Sequence, residues 1–369
     1  MTSPLRVSAF GVVVEVDLST FSEPDAALVR AAWADALADP DAEVETWVTP
    51  REGVEIDVML SDLSTRVTLA AIDARRGQFW MLHAAGLALD NGQVVAFVGP
   101  SGRGKTTASR ALGARFGYVT DETVAIDASG RVWPYRKPLS IIEAGARVKV
   151  QRAPSSIGLR AVADVPLQLA AVVVLDRISD TEKSDAAALP VAERIDLGDA
   201  INDLVEQSSY LSLMPAPLQT IAAHVEAVGG VLRVTYSEAQ TLLAIMPELV
   251  QEYRAPVVET RAEIIDATAA VAGAPGTYSR GPAHDVLALE DPDRLITLHL
   301  DDEGLGTVRV LSGIAPALWR AAEATPFEGL VQAALDAYGQ PEDVDATDLV
   351  CAAVDDLVAA GVLVEGGAE

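Results

Sequence analysis

Apolar and polar positions alternate across residues 6–16, the period of a strand with one buried face. Apolar positions across residues 23–38 recur instead at helical spacing, with Ser22 or Asp25 placed as an N-cap, so the chain opens as α/β. Residues 53–59 and 64–71 are rich in β-formers and are expected to be strands. Residues 79–89 are expected to be another, ending at the turn Asp90-Asn91-Gly92. Residues 94–98 are apolar and mostly β-branched, residues 99–106 are glycine-rich, and residues 107–115 read as helix. The apolar piece 118–120 leads into Asp121-Glu122, and 124–127 alternates before Gly130. A buried strand is expected over 167–175, ending in Asp176-Arg177. Helical pattern follows over 201–230, a strand over 231–235 and a helix over 237–253.

Residues 254–280 are rich in Ala, Gly and Pro and contain Ala272-Gly273-Ala274-Pro275-Gly276, which reads as a linker. Beyond it the grammar changes to short strands at 284–289, 295–300 and 306–311. Helices then follow at 314–322, 326–338 and 347–360, with a last apolar patch at 362–364. Thr325-Pro326-Phe327-Glu328 combines an N-cap, a first-turn proline and a glutamate placed to bond back. A small β-then-α module of this kind resembles a winged helix. The organisation expected is an N-terminal α/β segment (1–75) packing on a nucleotide-binding core (76–255), a linker (256–277) and the small α+β module (278–369). No internal repeat stands out.

Composition narrows the partners. A chain of 369 residues that is 50% apolar has length for a large core and for two or three domains. A formal charge of −27 argues against nucleic acid, whose phosphates are bound by clustered Lys and Arg, and fits a solvated acidic surface. The single cysteine, Cys351, excludes an intrachain disulfide and a cysteine-rich metal cluster, in keeping with reducing cytosol. Residues 1–10 lack a basic region followed by a long apolar run, and apolar segments such as 169–175 are too short to span a bilayer. The expectation is a cytoplasmic chain that engages neither membrane nor nucleic acid. A homo-oligomer is compatible with the sequence.

The chemistry concentrates at the glycine-rich segment. Gly99, Gly104, Lys105 and Thr106 have the spacing of a P-loop. Its glycines let backbone N–H groups converge on phosphate oxygens, while the lysine reaches the β- and γ-phosphates and the hydroxyl binds Mg²⁺. Ser101, Gly102, Arg103 and Thr107 complete the expected cofactor-binding set for ATP or another nucleoside triphosphate. Phosphoryl transfer also needs an acid to hold metal or accept a proton, and Asp121 and Glu122, at the end of the next strand, are placed for it. His83, on a β segment with apolar neighbours, reads by itself as a structural histidine.

The stretch from His83-Ala84-Ala85-Gly86 through the P-loop to Asp121-Glu122 resembles the core of the HPr kinase superfamily. It is similar in particular to HPr-kinase-like proteins encoded beside peptide natural-product genes. The resemblance spans about residues 79–253. It implies Asp121 as catalytic base beside His83, Lys105 and Thr106 on phosphate and Mg²⁺, and Glu122 assisting the metal. Trp133-Pro134-Tyr135-Arg136-Lys137-Pro138-Leu139-Ser140 resembles a proline-punctuated segment of those relatives. Arg136 and Lys137 by themselves read as a solvated basic turn, with contact to phosphate as the alternative. Arg177 also has a counterpart there, to which no role attaches. The later glycine-rich, basic loop with which HPr kinases engage their protein substrate has no equivalent, which argues against HPr as substrate.

Residues 278–367 resemble a PqqD-type domain, also called a RiPP recognition element. The carriers are residues 306–312, Ile314-Ala315-Pro316-Ala317-Leu318-Trp319, Phe327-Glu328-Gly329-Leu330-Val331 and residues 348–363. The resemblance implies an edge strand, Thr307, Val308, Arg309, Val310 and Leu311, to which a leader peptide adds as another strand. Val350, Val354 and Leu357 would line the adjoining groove, while Trp319 reads as core. Joined, the two halves imply a peptide kinase that captures a ribosomal precursor and phosphorylates it with ATP. A second reading is a non-catalytic recognition protein, as in daptide-like pathways, that presents the precursor to partner maturation enzymes. The pair Asp121-Glu122 in place of Asp-Asp and the lost substrate loop favour it, and intact Lys105 and Thr106 oppose it. A small-molecule kinase is the third reading, which leaves the C-terminal module unused.

Overall fold

The computed structural model describes residues 2–100, 104–141, 149–178, 190–251, 263–264, 273–290, 292–301, 304, 306–342 and 344–367. The chain divides into two units, residues 1–214 with 224–256 and residues 215–223 with 257–369.

In the first unit the opening alternation is not one strand but a hairpin, β1 (Leu5–Ala9) and β2 (Val12–Val16). The break falls at Phe10-Gly11, both at positive φ, the geometry of a tight hairpin turn. Helix α1 (Glu23–Ala32) is capped by the Ser22 side chain, which accepts from the Asp25 N–H, and it stops short of the expected residue 38. Strand β3 (Thr46–Val48) pairs parallel to β2. Residues 56–75 form a single helix, α2 (Ile56–Arg75), where strands at 53–59 and 64–71 were expected. The reason is periodicity: Met59, Leu60, Leu63, Val67 and Ala71 fall on one face and join the buried cluster of the hairpin. Burial of that face outweighs the strand preference of the Val and Thr residues along it.

Residues 79–89 also form two strands, β4 (Trp80–Leu82) and β5 (Ala84–Ala88), which belong to different sheets. Then come β6 (Gln93–Val98), α3 (Lys105–Gly113), β7 (Gly117–Thr120), β8 (Val124–Ile126) and β9 (Val132–Trp133). They are followed by β10 (Leu139–Ile141), β11 (Val150–Arg152), β12 (Gln168–Arg177), β13 (Val191–Ile195), α4 (Leu197–Glu206) and β14 (Ser208–Ser209). Helix α5 (Pro217–Ala227), β15 (Val231–Tyr236) and α6 (Leu242–Gln251) close this part of the chain. The main sheet has the order β13-β15-β12-β6-β5-β7, and a second has the order β14-β4-β8-β9. Strands β6, β12 and β15 are mutually parallel, whereas β5 runs antiparallel to both of its neighbours, β6 and β7. Flanked on both sides and buried on both faces, β6 has no solvent face to alternate against, hence its unbroken apolar run.

The second unit contains β16 (Glu263–Ile264), β17 (Thr277–Arg280), β18 (Asp285–Leu289), β19 (Arg294–Leu300) and β20 (Gly306–Leu311). Helix α7 (Ala315–Ala321), β21 (Thr325–Pro326), α8 (Phe327–Tyr338), α9 (Ala346–Ala359) and β22 (Leu363–Glu365) follow. Of the stretch read as a linker, residues 254–262 and 265–272 lie outside the described residues, while β16 within it pairs with β18. One sheet has the order β16-β18-β19-β20 and the other β21-β17-β22. The expected capping box at Thr325 does not form. Thr325-Pro326 pairs with β17, the Thr325 hydroxyl donates to the Ala321 carbonyl at 2.5 Å, and α8 starts without a side-chain cap. Within this unit the buried Asp285 carboxylate accepts from the Leu218 N–H at 2.7 Å and from the Gln219 side chain at 3.0 Å. It thereby satisfies donors at the start of α5.

Candidate functional site

Strand direction assembles the site. Because β6, β12 and β15 are parallel, their C-terminal ends (Val98, Arg177 and Tyr236) emerge along one edge of the main sheet. Strand β5 runs the other way and begins at that edge, Ala84 opposite Val98, so His83 sits there as the chain passes from one sheet to the other. Strand β7 ends there too, delivering Asp121-Glu122. The carboxyl ends of parallel strands are where open α/β sheets form their ligand crevices.

The crevice is a cavity of about 380 Å³, within the range of small-molecule sites. His83, Asp121 and Glu122 line it together with Gly104, Lys105, Thr106 and Thr107, so residues assigned separately as catalytic and as phosphate-binding share one cavity. Gly99 contributes its carbonyl, to which the buried Lys105 ammonium donates. Ser101, Gly102 and Arg103 lie outside the described residues. Gly104 opens α3 in the left-handed region at φ 95°, and a Cβ there would stand 2.8 Å from the Tyr236 hydroxyl, so a side chain is refused on two grounds. The first N–H groups of α3 have no partner within the helix and present positive charge to an anion.

The acidic turn is built by Thr120, whose hydroxyl accepts from the N–H groups of Glu122 at 3.2 Å and Thr123 at 3.3 Å. The two carboxylates then diverge. Asp121 Oδ1 accepts from the Tyr118 hydroxyl at 2.9 Å, and burial raises its carboxyl above the ordinary value against the pull of Lys137. Glu122 pairs with the Lys137 ammonium. Burial holds the His83 imidazole below its ordinary value, and the Lys105 charge acts in the same direction. Its main-chain N–H donates to the Gln207 carbonyl at 2.6 Å. Burial also lowers Lys105 and raises Tyr118.

A cavity offering two ammoniums, two hydroxyls, two carboxylates and an imidazole can hold a polyphosphate and move a proton. The Thr106 hydroxyl and the Glu122 carboxylate are hard oxygen donors of the kind Mg²⁺ takes alongside phosphate and water. Among the described residues no group of three or more His, Cys, Asp or Glu is arranged to hold a metal, so a cation here would need the phosphates as ligands. Tyr118 is a functional candidate that sequence reasoning missed, since a buried tyrosine reads as core, and Lys137 is one that it held only as the alternative to a solvated turn. Arg136 and Lys137 part company. Arg136 turns to Asp35, 3.3 Å away, and Lys137 enters the cavity.

In the second unit β20 is a marginal strand, with Thr307 and Val310 exposed, Val308 and Arg309 half-buried and Leu311 buried. The Arg309 guanidinium is engaged by the Ala360 carbonyl at 2.9 Å. Val350, Val354 and Leu357, expected to line a groove, are instead buried in the core beside Leu318 and Trp319. Their i, i+4, i+7 spacing is the core-facing stripe of α9. Val350 alone also borders a small apolar cavity of about 120 Å³ with Ile314, Leu335, Tyr338 and Leu349.

No family model matches the chain, and no curated protein does. Among solved structures the chain is similar to the HPr(Ser) kinase/phosphatase from Coxiella burnetii. The identity is 18% over 47% of this chain and 95% of that one, with a TM-score of 0.26. Among the described residues no helix is long and apolar enough to cross a membrane.

Proposed function

We propose that the first unit binds a nucleoside triphosphate with Mg²⁺ and transfers its terminal phosphoryl group to a ribosomal precursor peptide, held by a PqqD-like second unit during RiPP biosynthesis. The observation that supports this reading best is the meeting of Lys105, Thr106, Asp121, Glu122 and His83 in one cavity at the P-loop edge of the main sheet. In the transfer the acceptor hydroxyl oxygen bonds to the γ-phosphorus while the bond to the bridging oxygen breaks and the diphosphate leaves. The hydroxyl proton passes to the Asp121 carboxylate, which the Tyr118 hydroxyl orients. Lys105 and the start of α3 hold the phosphates, and bound Mg²⁺, with Thr106 and Glu122 as protein ligands, supplies charge neutralisation.

Peptide capture is supported by the marginal position of β20, whose outer side pairs with no described strand, and by the succession of the strands β18, β19 and β20 and the helices α7, α8 and α9, with the two-residue β21 between α7 and α8. An added strand gains backbone hydrogen bonds there, and carriage of both activities on one chain raises the local acceptor concentration. The test is incubation of candidate precursor peptides with ATP and Mg²⁺, read by mass spectrometry. A phosphate-sized gain that disappears in both Lys105→Ala and Asp121→Asn supports the kinase. Binding of the peptide without turnover would replace it by a recognition scaffold. That second reading is favoured by one observation, the engagement of Glu122 by Lys137.

A further inference from the structure

We propose that Lys137 is a ligand of the terminal phosphate of the bound nucleoside triphosphate, held on Glu122 until phosphate takes it over. The inference rests on the nucleotide-binding reading above and adds to it a residue outside the P-loop.

The placement of Lys137 is fixed by its neighbours. Tyr135 is fully buried, its hydroxyl accepting from Trp33 Nε1 at 3.3 Å and its ring packed edge-on to Phe10 at 5.3 Å. Arg136 reaches Asp35, and each of those side chains is only 12% exposed. With the chain anchored just before it, the Lys137 side chain enters the cavity that Lys105 and Thr106 line, and it is 17% exposed. The Glu122 carboxylate paired with it is more open, at 38%.

Charge explains why such a residue is needed. The cavity already holds the Asp121 and Glu122 carboxylates in a chain of net charge −27, and a triphosphate brings several more negative charges. Lys105, at the first position of α3, serves the phosphates that the loop cradles. Lys137 stands by the acidic pair and the imidazole, where the transferred group must meet its acceptor. Its charge is felt by both His83 and Asp121. A phosphate offers the ammonium more negative charge than a single carboxylate does. Transfer of Lys137 from Glu122 to the phosphate also frees that carboxylate as an oxygen donor for Mg²⁺.

The experiment is calorimetric titration of the full chain with Mg²⁺ and either ADP or the slowly hydrolysed triphosphate analogue AMP-PNP. Wild type, Lys137→Met and Lys137→Arg are compared after thermal melts have matched their folding. Loss of one charge-assisted bond predicts that Lys137→Met weakens AMP-PNP by about tenfold or more and leaves ADP within about twofold. Lys137→Arg is expected to retain most of the difference between the two nucleotides. Unchanged AMP-PNP affinity in a folded Lys137→Met would overturn the assignment, as would equal weakening of both nucleotides. A folded wild type that binds neither nucleotide would defeat the nucleotide reading itself, a different result from a wild type that binds and a variant that binds as well.

Discussion

Replacing Asp121 by Asn removes a charge that the fold carries at a cost. Burial raises the Asp121 carboxyl above its ordinary value, opposed by the Lys137 ammonium and by the Tyr118 hydroxyl at 2.9 Å. A carboxyl whose folded value is raised binds its proton more tightly folded than unfolded. Its contribution to stability is therefore fully present below the ordinary value of 3.8 and is lost as pH rises through the raised one. Above the raised value the folded chain thus holds an ionised group that burial disfavours. Asparagine keeps the size and can still accept from Tyr118, while Lys137 keeps Glu122 as a partner. Relief of a site strained for function is worth about 0.5–2 kcal/mol, and each kcal/mol moves the midpoint of a unit this size by about 2–4 °C. Thermal and urea unfolding in nucleotide-free, magnesium-free buffer reads it. The variant should gain on wild type as pH rises through the raised value, and its advantage should be smallest below the ordinary value of 3.8, where wild-type Asp121 keeps its proton in both the folded and the unfolded chain. An Asp121→Asn variant that loses on wild type as pH rises, or a gain that does not change with pH, would refute the reasoning.

Two further outcomes test the framework around the site. Val67 is fully buried and Leu69 is 52% exposed, a contrast that a helix produces and an alternating strand, with both on one face, does not. Unfolding measurements should find Val67→Ala costing about 1.5–3 kcal/mol and Leu69→Ala within about 0.5 kcal/mol of wild type. At Gly104 an alanine meets both the left-handed backbone, worth about 1–2 kcal/mol, and the Tyr236 hydroxyl 2.8 Å from its Cβ. In a double-mutant cycle Tyr236→Phe should recover the steric part of the Gly104→Ala loss and leave the backbone part, whereas strictly additive losses would show that the hydroxyl is not the obstacle.

What could be read in the sequence depended on whether a signal was local. The strand before the glycine-rich segment and the helix after it are legible because the apolar run 94–98 and the helical run beyond it are contiguous, and the strands and helices of residues 284–364 declare themselves by period alone. Residues 56–75 mislead because Val and Thr carry strand preference while the deciding fact, burial of one helical face against the β1–β2 hairpin, is tertiary. The break at His83 leaves no mark, since Trp80–Leu82 and Ala84–Ala88 are apolar alike and only pairing assigns them to different sheets. Tyr118 escapes for the same reason, and Lys137 is legible only as an alternative to a solvated turn. A buried aromatic and a basic turn have ordinary structural explanations until strand order sets them against Asp121 and Glu122. Residues Val350, Val354 and Leu357 show the converse, a helical stripe assigned to a groove by resemblance that packing commits to the core.

The central claim is that the crevice at the P-loop edge is a nucleotide site in which Asp121 acts on the acceptor and not on nucleotide affinity. The most direct measurement is calorimetric titration of ATP with Mg²⁺ into wild type, Lys105→Ala and Asp121→Asn, each shown to be folded. The account predicts binding by wild type, loss of binding in Lys105→Ala and retained binding in Asp121→Asn. A folded wild type without affinity for ATP, or binding that survives in Lys105→Ala, would contradict it.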